Sequence, residues 1–309
     1  MAPLLGANGL SLKNSAEMVK TLKDCQLDET DILISFDVTA LFTSVPVDKS
    51  LDIIKGRLEE DNKLRERTTL TAMQVTDLLS VCLKTTYFQY DNTIYTQIEG
   101  AAMGSPVSPI VANLFMEWFE THAINTFQYN ITIWRRYVDD TIVALCDSLV
   151  EDFTNHINSI HPAIKFTREE EENMSIAMLD AKIRRNITGK LQFTVYRKPT
   201  HTDQYLQFTS NQPLQHKLGV IRTLHHRCNM ICSTEEDKLN EINHLKKVLS
   251  ISGYTKSAWH TATHSKVRSP TQESKNNENK PKGYITLPYV GSMTDAIARV
   301  IGKQGSKST

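Results

Sequence analysis

No apolar run in the chain approaches the ~18 residues of a membrane-spanning helix, and the first residues, "MAPLLGANGLSLKNSAEM", lack the basic flank and apolar stretch of a secretory signal. These absences predict a soluble, intracellular protein with no membrane partner. Cysteine is sparse: Cys25, Cys82, Cys146, Cys228 and Cys232 are too few and too scattered for a disulfide framework, which fits a reducing compartment. Internal repeats are missing, as are a glycine-rich phosphate loop and a Ser-His-Asp pattern. Net charge is missing too, with 35 basic and 35 acidic residues.

That last absence conceals a segregation. Residues 1–180 carry 14 Lys and Arg against 27 Asp and Glu, whereas residues 181–309 carry 21 against 8. A basic half is the electrostatic footprint of a surface that tracks a phosphate backbone, and an acidic half can house carboxylates that hold metal ions. At 309 residues and 40% apolar content the chain can bury a sizeable core, in one large or two to three smaller units.

Periodicity gives mixed helix and strand. "NSAEMVKTLKDC" is a polar cap followed by Met18, Val19 and Leu22 at helical spacing. "DILISFDVTALF" reads as a strand with Ile32, Ile34, Phe36 and Val38 on one face and Leu33, Ser35 and Asp37 on the other. "VDKSLDIIKGRLEEDNKLRER" and "TAMQVTDLLSVCLKT" are helical, and "YFQYDNTIYTQ" is a hairpin turning at Asp91-Asn92. "EGAAMGSPVSP" is a loop opening a helix capped by Ser108, with Pro109 first and an apolar stripe of Val111, Leu114, Phe115, Trp118 and His122.

Further on, "DSLVEDFTNHINSI" predicts a helix, "AIKFT" a strand, "EEEEN" a solvated turn, and residues 175–199 a hairpin turning near Asn186 to Gly189. After Pro199 the chain is basic and helical, and residues 267–283 read as a disordered linker. The fold class is α+β with a largely antiparallel sheet.

"WRRYVDDTIVAL" sets Asp139 and Asp140 where two strands should meet. Turn chemistry is one reading, because Asp bonds its own backbone in turns. The other needs a third carboxylate. If the strand ending at Asp37 lies beside this hairpin, three carboxylates converge, and their repulsion is relieved by Mg²⁺ ions that prefer oxygen ligands. Two such ions support the in-line displacement of phosphoryl transfer.

"SFDVTALFTSVP", "GAAMGSPVSPIVANLFME" and "YVDD", in that order, resemble the three central palm motifs of reverse transcriptases. "MLDAKIRR" and "VYRKPTHTDQYLQFTSNQP" resemble the reverse transcriptase of Penelope-like retroelements, over about residues 12–250. The resemblance implies a right-hand polymerase: a fingers remnant in 1–30, a palm in 31–199, a basic thumb in 200–266 and a C-terminal segment in 284–309. Only 36 residues precede Asp37 and no GIY-YIG endonuclease motif follows, so the chain reads as a fragment. It also implies an RNA template, a DNA primer, deoxynucleoside triphosphates, two Mg²⁺ ions or Mn²⁺ in their place, and a nuclear location at the site of element insertion.

The same resemblance implies roles by position. Asp37, Asp139 and Asp140 are the catalytic metal ligands, with Asp140 the more supportive. Val38, Thr39, Met103, Gly104 and Ser105 line the nucleotide, and Phe42 crowds its 2′-hydroxyl, the group that separates the two sugar types. Lys165 protonates the leaving pyrophosphate, and Arg197, Lys198 and His201 touch the nucleic-acid backbone. Each has a plainer alternative: core packing for Phe42, an ordinary surface lysine for Lys165, and thumb packing with paired charges for Arg197 and Lys198. Met103 stands where many reverse transcriptases have Gln. His225, His226, Cys228 and Cys232 lie within one helical stretch, without the separated pairs of a zinc site. A nucleic-acid-binding remnant without catalysis is the alternative function. No sequence feature specifies an oligomeric state.

Overall fold

The computed structural model of the chain describes residues 2–264, 284–285, 288–303 and 307–308. The linker expected over 267–283 lies outside the described residues. Two compact units divide the chain, residues 1–196 and 197–309. Helices and antiparallel sheets are mixed throughout the first, in agreement with the α+β expectation.

The first unit opens with α1 (Ser15–Leu22), whose Asn14 side chain caps the Glu17 amide. Next comes β1 (Asp31–Val38), the strand around which the main sheet is ordered β4-β5-β1-β6. Its neighbours are β5 (Asp140–Cys146), in hairpin with β4 (Ile133–Tyr137), and β6 (Phe166–Glu170), all antiparallel. Ile34, Phe36 and Val38 enter a core shared with α3 (Val47–Glu59), α5 (Ala72–Lys84), α6 (Ser108–Thr126) and α7 (Val150–Ile160). Leu33 on the opposite face is buried as well, and so are four successive residues of β5, Ile142 to Leu145. The sheet is therefore covered on both sides, and β1 emerges only where Asp37 is exposed. Phe36 fixes that end, its ring 5.8 Å from Phe153 of α7 and 6.3 Å from Phe166 of β6.

Short helices α2 (Leu41–Ser44) and α4 (Leu64–Arg67), the exposed hairpin β2 (Tyr87–Tyr90) with β3 (Thr93–Thr96), and a meander of β7 (Ser175–Met178), β8 (Ala181–Arg185) and β9 (Leu191–Val195) complete this unit. Asp91 and Asn92 turn the β2–β3 hairpin with positive φ at both, as their residue types favour.

Five local expectations need correction. The helix expected over 47–67 breaks after Glu59, where the Asp61 side chain accepts the Lys63 amide in a turn of its own. Ser108 is the first helical residue of α6 and Val107 the cap; the Ser108 hydroxyl donates instead to the Ala102 carbonyl at 2.7 Å. The stripe of α6 holds at Val111, Leu114 and Phe115, which are buried, and at half-buried Trp118, but His122 is exposed and stacked on Trp118, and Glu117 and Glu120 are buried among the apolar residues. The acidic run is no free turn. Glu169 and Glu170 belong to β6, and the Glu171 carboxylate pairs with Arg185 at 2.6 Å. Finally, residues 175–195 make three strands, because Leu179 adopts positive φ and turns the chain before Asp180.

The second unit holds α8 (Leu214–Ile231), α9 (Glu235–Ile251) and α10 (Lys256–His264) around Leu218, Ile221, Leu245, Leu249 and Tyr254. Thr234 caps α9 and carries three acids into its first turn, where they meet the helix dipole favourably. Helix α10 escaped periodicity because it buries only small Ala258 and Ala262. A two-residue strand pair, β10 (Tyr284–Ile285) with β11 (Lys307–Ser308), and α11 (Ser292–Lys303) follow. No helix among the described residues is long and apolar enough to cross a membrane.

Candidate active site

Antiparallel pairing of β1 with β5 sets Asp37 directly opposite Asp140, and the β4–β5 turn places Asp139 beside them. One oxygen from each of the three carboxylates lies within 4.8 Å of the others. The Val38 amide donates to the Asp139 carbonyl at 3.3 Å and ties strand to turn. Although Asp37 is exposed, its pKa is raised, first by partial desolvation at the sheet edge and then by the charges of Asp139 and Glu169. A site built from mutually repelling oxygen donors suits a hard divalent cation. Among the described residues, no other group of three metal-ligating side chains comes together. Cys228 is buried in α8 and Cys232 at its C-terminal cap, and burial pushes the Cys228 thiol up to about 12, against a thiolate role.

Two loops join next to β1. Ala40 takes a left-handed conformation ahead of α2, and the Phe42 carbonyl accepts the Ala101 amide at 2.7 Å. Gly100, with φ +75°, approaches so closely that a Cβ there would lie 2.4 Å from the Thr43 carbonyl oxygen. "DVTALF" and "GAAMGSP" are thus zipped backbone to backbone. Phe42 is half-buried against the core. Met103 is 73% exposed, and Gly104, with φ +90°, faces open space. The Ser105 hydroxyl accepts the Val107 amide at 3.4 Å. Val38 is buried, whereas Thr39 is exposed and donates its amide to the Lys165 carbonyl at 2.9 Å.

Other expected residues are engaged elsewhere. The Lys165 ammonium donates to the Asn158 carbonyl at 2.8 Å, satisfying the last turn of α7. Arg197 is engaged more firmly. Its guanidinium grips both Glu241 oxygens, at 2.8 and 2.5 Å, and lies 3.4 Å from Asp203. Burial opposes that charge, and the Glu241 carboxylate outweighs it, so the Arg197 pKa is raised. His201 also pairs with Asp203, at 3.1 Å, while Lys198 is exposed.

Periodicity missed Arg136 and Glu120. Both are 0% exposed, and Arg136 Nε meets Glu120 Oε1 at 2.6 Å beneath the β4–β5 turn. The signal was present: Trp134 and Arg136 alternate onto one buried face of β4, so a basic residue at a core position required a buried acid.

This geometry is that of a polymerase fold. A telomerase from Candida albicans, solved with a three-way-junction fragment of telomeric RNA, superposes with a TM-score of 0.54 at 10% identity, over 82% of this chain and 46% of that one. An apo telomerase from Candida tropicalis gives 0.50 at 12% identity, over 82% and 47%. The RNA-dependent RNA polymerase of a human picorbirnavirus gives 0.50 at 9% identity, over 84% and 49%. The chain spans about half the length of these structures. No curated protein matches it. Residues 9–175 match the reverse transcriptase (RNA-dependent DNA polymerase) family, more than half of the chain, which therefore belongs to that family. Residues 204–264 match the animal helix-turn-helix domain.

Proposed function

We propose that the chain is an RNA-directed DNA polymerase of a Penelope-like retroelement, adding deoxynucleotides to a DNA primer on an RNA template in the nucleus, where the element inserts. The carrying observation is the convergence of Asp37, Asp139 and Asp140 in a member of the reverse transcriptase family. The subtype rests on the "VYRKPTHTD" stretch that follows the palm motifs. On this reading 31–199 is the palm, 1–30 a fingers remnant and 200–266 a thumb.

Asp37 and Asp139 would hold two divalent ions, with Asp140 supporting them. When bound, Mg²⁺, or Mn²⁺ in its place, would supply the positive charge that activates the primer 3′-hydroxyl and stabilises the departing pyrophosphate. The chain's own part is position. The exposed strand end presents the carboxylates, Gly104 leaves room beside its loop, and the Phe42 ring excludes a 2′-hydroxyl. Primer extension with Mg²⁺ and deoxynucleotides on an RNA template tests the reading. Template-dependent incorporation supports it, whereas duplex binding without incorporation, with Mg²⁺ and with Mn²⁺, favours the non-catalytic remnant.

Two further outcomes are expected. Phe42→Ala should raise ribonucleotide use relative to deoxynucleotide use about tenfold or more, because the steric part of the selection is lost. An unchanged ratio of the two efficiencies would leave Phe42 a core residue only. Nucleic-acid affinity should fall with salt through counterion release. The contacts, however, are expected on Lys246, Lys247 and Lys256, which with Trp259 line a cleft of about 700 Å³ that holds no acid among its described lining residues. Replacing the three lysines with Ala should flatten the salt slope by roughly two to three units. Arg197→Ala should instead lower the melting temperature and keep the slope, since it strands Glu241.

A further inference from the structure

The β4–β5 turn is conformationally costly where the chemistry needs it fixed. Val138 has φ +56°, a region that a β-branched residue rarely occupies, and Asp139 follows it directly. Such a conformation persists only when its surroundings hold it. Here the holder is visible. Arg136 Nη1 donates to the Val138 carbonyl at 2.9 Å and to Asn113 Oδ1 of α6 at 2.8 Å. Its Nε and Nη2 reach the two Glu120 oxygens at 2.6 and 3.5 Å.

Glu120 is aimed in turn, accepting Trp134 Nε1 at 3.1 Å and Asn8 Nδ2 at 2.9 Å. The Arg136 backbone is held as well, its amide donating to the Leu10 carbonyl at 3.0 Å and its carbonyl accepting the Leu12 amide at 2.7 Å. A buried ion pair is weak evidence for stability, since well-packed apolar residues often serve as well. What apolar residues cannot supply is a donor to the turn carbonyl.

We propose that Arg136, oriented by Glu120, is a positioning residue that locks the Val138–Asp139 turn and so sets the Asp139 carboxylate against Asp37. This rests on the polymerase reading for the purpose of the site, and its test reads the metal site directly. Removing Arg136 alone would strand a buried carboxylate and risk unfolding. The informative protein is therefore the full chain carrying Arg136→Met with Glu120→Gln, which removes both charges of this pair and keeps one side-chain oxygen to accept Trp134 Nε1, the other acceptor, that of Asn8, being lost. Its melting should stay close to that of the parent, while Mn²⁺ affinity, measured by titration, should fall roughly 10- to 100-fold, the range for losing a group that orients a ligand. In primer extension, kcat should fall more than the KM for deoxynucleotide rises.

Arg57→Lys is the control. Arg57 bonds Glu117 at 2.6 Å and the Leu4 carbonyl at 3.1 Å, not the turn, so its replacement should leave Mn²⁺ affinity unchanged. A folded double variant with parental Mn²⁺ affinity would overturn the proposal. A parent chain that binds Mn²⁺ without extending primers, and loses affinity in the double variant, would sink the polymerase reading and keep the positioning role. A parent whose Mn²⁺ binding is absent, or survives Asp139→Asn, would overturn both.

Discussion

Asp37→Asn and Asp139→Asn should each abolish primer extension, by a factor of at least about 10³, while duplex binding stays within about twofold. The asymmetry follows from the charge distribution. The substitution would remove a ligand charge from the proposed metal site, whereas the phosphate contacts are expected on lysines of the other unit of the chain. Activity within tenfold of the parent in either variant, in a preparation shown to be active, would falsify the assignment.

The same Asp37→Asn change should raise the melting temperature of the metal-free protein. The Asp37 pKa is raised in the folded chain, so the native state takes up its proton before the unfolded state does. Above the folded pKa the ionised group opposes folding. As pH falls through that value this penalty fades, and it is gone below the unfolded value. Above the folded pKa the parent therefore carries the penalty and the Asn variant none. Mg²⁺ should stabilise the parent and raise its melting temperature, and should do so much less in the variant, because binding to the native state alone stabilises it. Melting curves with Mg²⁺ and with chelator measure both signs.

What was legible beforehand divides along physical lines. Strand β1 and its final carboxylate were legible because alternation is a local signal, and Asp37 ends an alternating run. The partner hairpin was legible from two strand-like stretches around "VDD". Helix α6 and the buried Val111, Leu114 and Phe115 of its stripe were legible, but its two core acids were not, because periodicity scores acids as solvent-facing, and Glu117 and Glu120 are buried by pairing with Arg57 and Arg136. Those partners lie 60 and 16 residues away in the chain, beyond any helical window. The zipper of Gly100 against Thr43 was hidden for a related reason: a close approach of two backbones leaves no mark on local pattern beyond the glycine itself. Arg197 is set at the nucleic-acid backbone by resemblance alone, and no local signal marks the buried Glu241, 44 residues on, that its guanidinium grips.

Glu120→Ala should have the opposite sign to Asp37→Asn, although each removes one acid. Glu120 is fully buried and compensates a fully buried guanidinium, and its oxygens also take up Trp134 Nε1 and Asn8 Nδ2. Truncation leaves the Arg136 charge in the core with only the neutral Asn113 and Val138 acceptors. Breaking one side of such a pair costs about 3–5 kcal/mol. For a unit of 196 residues, at about 2–4 °C per kcal/mol, the melting temperature should fall by roughly 10 °C. The Glu120→Gln, Arg136→Met pair should recover most of that loss, because no unpaired charge remains. If instead Glu120→Ala cost less than about 1 kcal/mol, the core around Arg136 would have to admit water, and the turn it holds would not be rigid. Denaturant unfolding of the two variants beside the parent therefore separates an acid that burdens the fold for the sake of the site, Asp37, from one on which both the fold and the site depend.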